Sequence, residues 1–161
     1  MRFFRFFLFG AFLMLSGCAG GMVDYSSRMI PPQQTDAVRL RHLDAVNTIR
    51  AERGLGPLAY SASLNAAAST HARDMSVQRR AWHFGSDGTS PQDRADRAGY
   101  PSLILGENIS ETFEHEVEVL QSWLDDPDGR GLILDPKARM LGFSWFQESD
   151  GKLWWVQVIG S

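Results

Sequence analysis

The sequence predicts an α+β fold in which a small, mainly antiparallel sheet lies between helices on both of its faces. Three observations carry this. Residues 36–53, 61–79 and 112–124 repeat apolar side chains at helical spacing. Residues 141–146 and 153–159 are rich in aromatic and apolar side chains, and they flank Ser149-Asp150-Gly151-Lys152, whose Asp-Gly step suits a hairpin turn. The run Leu103-Ile104-Leu105 leads into Gly106-Glu107-Asn108 and reads as a third strand. At 161 residues the chain suits one domain, and 43% hydrophobic with 22% charged residues is enough for a real core.

The N-terminus is read separately from the fold. Arg2 and Arg5 precede an apolar run and then small residues, the pattern of a secretory signal over residues 1–17. The run is shorter than the ~20 residues a membrane span needs. Leu15-Ser16-Gly17-Cys18 resembles the bacterial lipobox, which implies cleavage before Cys18 and lipidation of its thiol. Cys18 is the only cysteine, so no intramolecular disulfide forms. Residues 18–35, with Gly20, Gly21, Pro31 and Pro32, read as the lipidated cysteine and a flexible tether; residues 36–161 form the domain. The other reading of the tether has Val23, Tyr25, Met29 and Ile30 packing on the domain.

Loss of Arg2 and Arg5 leaves 14 basic against 19 acidic residues, a net charge of −5. A mildly acidic chain without basic blocks is not built for nucleic acid, and its membrane contact is expected to come from the anchor. Ala19 and Gly20 carry no acidic retention signal, which points to the outer membrane if the cell has one.

The first helix is predicted to bury Leu40, Leu43, Val46 and Ile49 and to stop at Gly54, with His42 in solvent. Asn47 and Arg50 are expected to bond loop carbonyls. In the second helix Leu64, Ala68, His71, Ala72 and Met75 share a face, so His71 is a core histidine. Trp82 to Gly88 is a Gly-rich turn. Ser90-Pro91-Gln92-Asp93 opens a short capped helix that ends at Gly99. Thr112 is predicted to cap the next helix, with Phe113, Val117, Leu120 and Leu124 buried and His115 in solvent. His115-Glu116 begins like the zinc-protease pattern HExxH, but position 119 is Val. Residues 125–131 read as a turn-rich break, with extended chain from Leu132.

Several of these segments carry a resemblance. Asn47-x-x-Arg50, GLGPL (54–58), HARDM (71–75), HFGSDG (83–88), AGYP (98–101), GENI (106–109), Trp123 and WWVQV (154–158) follow one another in the order of the CAP superfamily. That is the group of cysteine-rich secretory proteins, antigen 5 and pathogenesis-related 1, here similar to its bacterial form. The resemblance spans residues 36–160 and implies a CAP-type α-β-α sandwich. It also implies a cleft lined by two histidines and two acidic residues, which binds zinc in some members.

The resemblance carries over unevenly. His83 matches the first histidine and Glu107 the glutamate of the GEN motif. Bacterial members often read W-x-x-S-P-x-H-R where this chain has Trp123-Leu124-Asp125-Asp126-Pro127-Asp128-Gly129-Arg130. Gly129 therefore stands in place of the second histidine, and Asp126 lies where other branches carry the second glutamate. Zinc sites use three or four ligands, usually with imidazoles. No cofactor is expected beyond a weak divalent site, zinc for instance, of His83, Glu107 and Asp126.

His83 and Glu107 either pin two loops by bonding each other or act as an acid–base pair. No nucleophile motif accompanies them. The preferred reading is a lipid-anchored cell-envelope module that binds a lipid, a small molecule or a protein through a cleft of His83, Glu107, Asn108 and Asp126. The alternatives are a metal-dependent hydrolase using His83 and Glu107, and a purely structural envelope protein.

Overall fold

The structure, a computed structural model, describes residues 29–161. The signal segment, Cys18 and the tether as far as residue 28 lie outside the described residues. A 3₁₀ turn, Pro32–Gln34, leads into α1 (Thr35–Glu52). Then come β1 (Ala59–Tyr60), α2 (Ala62–Gln78), α3 (Pro91–Arg97), β2 (Ile104–Glu111), α4 (Glu116–Asp125), α5 (Pro127–Ile133), β3 (Met140–Gln147) and β4 (Leu153–Gly160). No described helix is long and apolar enough to cross a membrane.

The four strands lie in the order β1-β3-β4-β2. The predicted hairpin forms β3 and β4, and β2 pairs antiparallel on the other side of β4. β1 was not foreseen; it is two residues long and runs parallel to β3. All eight residues of β4 are buried, as expected for a strand covered on both faces. Leu153, Trp155 and Ile159 join a core with α1, α4 and α5, containing Val46, Trp123, Ile133 and Phe143. Trp154, Val156 and Val158 join a second core with α2 and α3, containing Leu64, Ala68, Met75 and Ala95. The expected sandwich, helices on both faces of a small sheet, is what the chain forms.

Four details depart from the sequence reading. First, α1 buries Val38, His42, Val46 and Arg50, while Leu40 is 56% exposed. His42, predicted to be solvated, stacks flat on Phe143 with ring centroids 3.6 Å apart, and its Nε2 donates to Gln157 Oε1 at 2.7 Å. Arg50 is buried because it donates to the carbonyls of Gly56, Ile133 and Asp135. Asn47 makes a two-way bond with the Leu58 backbone, so both residues act on loop backbone as expected.

Second, α4 starts at Glu116 and not at Thr112, which sits at φ +82 and donates its N–H to Leu153 O. Glu116 is buried against Arg41 of α1 at 2.7 Å. That pairing rotates the helix so that Val119 and Trp123 face inward and Val117 is 61% exposed.

Third, the turn-rich break is α5. Asp126 caps it, accepting from Gly129 N–H at 2.8 Å, and Pro127 takes the first helical position. Leu132 is thus helical.

Fourth, at the end of the tether segment Ile30 follows the second of the two readings given for it. Ile30 packs against the first core, and its N–H donates to Gln147 Oε1 at 2.8 Å.

The buried His42 has a consequence for stability. Burial holds its imidazole down to about 4 from 6.5, against a smaller opposing pull from the Gln157 bond. The unfolded chain therefore binds more protons than the folded one between those values. Stability is full above pH 6.5 and falls as pH drops towards 4, by about 3 kcal/mol for this group alone. Urea midpoints at pH 7.5 and pH 4.5 are expected to show this loss. In His42→Phe, which starts less stable because Gln157 loses its partner, the difference between the two pH values is expected to shrink.

Candidate functional site

Four elements converge on Glu107. α2 supplies His71 and Asp74, the loop after it supplies Trp82 and His83, α3 supplies Arg94, and β2 supplies Glu107 itself. α2 ends with Arg79 in the left-handed conformation, where Arg79 and Arg80 both bond Met75 O and turn the chain back. Trp82 then offers its carbonyl to His71 Nε2 at 2.9 Å and its indole N–H to Gln78 Oε1 at 2.8 Å. Asp74 accepts from the Ser86 N–H and hydroxyl, and Asp87 accepts from the Thr89 N–H and hydroxyl. Gly85 fits closely inside this turn: a Cβ there would stand 2.5 Å from Thr89 Oγ1 and 2.6 Å from Asp87 Oδ1, and those side chains would have to shift. The capping box of Ser90 and Asp93 fixes α3, as predicted, and so aims Arg94.

The Glu107 side chain is 1% exposed. Arg94 Nη2 donates to both of its oxygens at 2.9 and 3.0 Å. The same guanidinium donates to the carbonyls of Thr89 and His83, at 3.0 and 3.1 Å. His83 is half exposed, and its Nδ1 donates to Glu107 Oε1 at 3.1 Å. His71 Nε2, committed to the Trp82 carbonyl, stands 3.6 Å from the same oxygen. Burial lowers the His71 pKa, with the Glu107 charge opposing. A neutral His71 with its proton on Nε2 follows, and its buried Nδ1 has no partner.

The structure thus brings His83 and Glu107 together and leaves Asn108 and Asp126 elsewhere. In a strand, neighbouring side chains point to opposite faces. Glu107 pairs with Val158 and faces α2 and α3, whereas Asn108 pairs with Gln157 and faces α5. There Asn108 Nδ2 approaches Gly129 O at 3.4 Å. Asp126 is exposed and spends its carboxylate on the α5 N-terminus. The expected four-residue cleft is therefore split by the sheet. Cavities of ≈ 620 Å³, beside Ile30, Val38 and His115, and ≈ 360 Å³, between α2 and α3, are lined by neither His83 nor Glu107. Arg94 lines the smaller one.

This donor set does not fit the metal that the resemblance implies. Among the described residues no three His, Cys, Asp or Glu side chains cluster for an ion. Glu107 already has a cation in Arg94. Gly129 has no room for a histidine, because a Cβ there would lie 2.6 Å from Trp123 O and 3.2 Å from Trp123 Cα.

Sequence reasoning missed Arg94 altogether and saw His71 only as core. Arg94 lies in a seven-residue helix, too short for a periodicity to mark its buried face. The available signal was a cationic side chain next to Ala95, between the two motifs that supply His83 and Glu107.

A mixed sheet between two helical layers, with a histidine–glutamate pair joining the loop after α2 to an edge strand, defines the class of an α-β-α CAP domain. The chain belongs to the cysteine-rich secretory protein (CAP) family, whose model matches residues 43–159. Solved structures agree on the fold. An extracellular protein containing an SCP domain from Bacillus anthracis superposes with a TM-score of 0.73 at 22% identity, over 82% of this chain and 44% of that one. An outer surface protein from Borrelia burgdorferi gives 0.71 at 16% identity, over 80% and 94%. A cysteine-rich secretory protein from Staphylococcus aureus gives 0.65 at 18% identity, over 81% and 40%. The chain thus spans less than half of the Bacillus and Staphylococcus proteins. No curated protein sequence matches it significantly.

Removing one member of a buried ion pair strands the other. Glu107→Ala is therefore expected to lower unfolding free energy by about 3–5 kcal/mol. His83→Ala, at a half-exposed position, is expected to cost less than about 1 kcal/mol. Urea denaturation at pH 7.5 compares the two.

Proposed function

We propose that this chain is an exported, lipid-anchored module of a bacterial cell envelope that acts by binding through the surface around His83. Its family, the signal-like segment and the lipobox-like residues before Cys18 support export and anchoring. The Bacillus and Borrelia relatives are described as extracellular and outer surface proteins, which agrees with that placement.

One observation carries the binding reading. His83 is held half exposed by a buried carboxylate, with no nucleophile bonded to it among the described residues. The nearby Ser86 and Thr89 hydroxyls donate instead to Asp74 and Asp87. A dyad without an activated nucleophile lacks what acyl transfer needs. The poor fit of the donor set to a metal weighs against the hydrolase alternative in the same way. The half-exposed imidazole over a buried carboxylate leaves His83 open to a ligand, which a purely structural role does not need.

Lipidation is expected to be direct to observe. Cells fed labelled palmitate should yield a labelled, processed protein, and Cys18→Ser should be neither labelled nor processed. An equally labelled Cys18→Ser protein would remove the anchor.

For binding, the full mature chain in detergent is to be observed by amide NMR. A muropeptide digest and a lipid extract of the envelope are the probes. One of them is expected to shift Trp82, His83 and Phe84. Shifts confined to the cavity beside Ile30 and His115 would show that the binding surface lies there instead, and no shifts at all would sink the binding reading.

A further inference from the structure

We infer that Arg94 is a built-in cation standing where the site would otherwise hold a metal ion, and that it makes Glu107 an orienting group for His83. This rests on the reading of His83 as the recognition group and adds how that group is held and what ligand chemistry it accepts.

The geometry is closed around Glu107. Both carboxylate oxygens are engaged by Arg94 Nη2, and Oε1 also accepts from His83. The Arg94 side chain is 5% exposed. A divalent ion competing for Glu107 would strand a buried guanidinium without its counter-charge. Withdrawal of Arg94 would also break the bonds of Nη1 to the Thr89 carbonyl and of Nη2 to the His83 carbonyl. A compensating second imidazole is barred on steric grounds at Gly129, which lies against the Trp123 backbone on the other side of the sheet.

Arg94 is therefore a positioning residue for His83, and it acts twice. It grips the His83 backbone directly, and it fixes the carboxylate that receives the His83 Nδ1–H. That bond selects the tautomer with its proton on Nδ1 and leaves the Nε2 lone pair facing outward. The opposite charges of Arg94 and Glu107 cancel locally, so the pair adds no net charge to draw an anion.

Beside His83, the Phe84 ring is 49% exposed and supplies an apolar surface. The ligand that suits this arrangement is neutral, with a hydroxyl to donate to Nε2 and an apolar face to lie on Phe84. A carboxylate or phosphate bridged by a metal does not suit it.

The test uses the full mature chain in detergent, with zinc alone as the probe. The His83 ring nitrogens are followed by long-range ¹H–¹⁵N NMR and assigned by their loss in His83→Gln. The wild type is expected to show the Nδ1–H tautomer and no change on adding equimolar zinc. Arg94→Lys, which keeps the charge, should retain that tautomer. Arg94→Gln should lose it and bind zinc at least tenfold more tightly, because Glu107 is freed.

Zinc moving the wild-type His83 nitrogens at equimolar ratio would overturn the inference, as would a wild-type Nε2–H tautomer. Shifts confined to exposed His115 would leave it standing. Should Arg94→Gln fail to fold, the wild-type and Arg94→Lys spectra still decide. The zinc experiment needs no natural ligand, so its failure is separate from a failure of the muropeptide and lipid probes.

Discussion

The whole arrangement depends on β4 being covered on both faces. Its alternating side chains supply two separate cores, with Trp155 and Ile159 on one side and Trp154, Val156 and Val158 on the other. The helices have little freedom once that division is made. α2 must approach the sheet closely enough that Gly142 touches the backbone of Leu64 and Asn65, where no larger residue fits. β2 pairs along β4 in a register that repeats the same alternation. The period of two then decides chemistry as well as packing: Glu107 reaches the α2–α3 side and Asn108 the α5 side.

Within that frame, the buried side chains of Arg50, His42 and Arg94 each have a geometric partner through at least one atom, although His42 Nδ1 and Arg94 Nε have none. Arg50 ties the end of α1 to the carbonyls after α5, and His42 lies between Phe143 and Gln157. Arg94 and Glu107 neutralise each other where neither is accessible to water. Buried charge left unpaired is strongly destabilising, so these pairings select one arrangement of helices and loops over its alternatives. The same pairing that stabilises the Glu107 region also occupies both oxygens of the carboxylate. Structure and chemistry are linked there through one guanidinium.

Much of the fold was legible in the sequence. The C-terminal hairpin, the Ala-rich second helix and the Ser90 capping box were all placed by local signals: turn residues, propensity and cap spacing. The errors have a common cause. His42 was read as solvent-facing because of its polarity and Glu116 was given no buried role, yet each is buried against a partner far away in the chain. That misplaced the buried face of α1 and the start of α4. α5 was missed because Asp126, Pro127 and Gly129 signal a turn in one context and a capped helix start in another.

For the site, the sequence alone determined that an imidazole and a carboxylate, His83 and Glu107, belong to two ordered motifs, and that Gly129 cannot act as a ligand. Those are properties of residue type and order, which need no coordinates. Only the tertiary structure decided which groups meet. It brought Arg94 and His71 to Glu107, sent Asn108 and Asp126 to other surroundings, and closed the space at Gly129. The physical reason is that pairing across the core depends on strand register and helix rotation. Both are set by the summed packing of residues distant in sequence, so no local pattern around Arg94 could announce its partner.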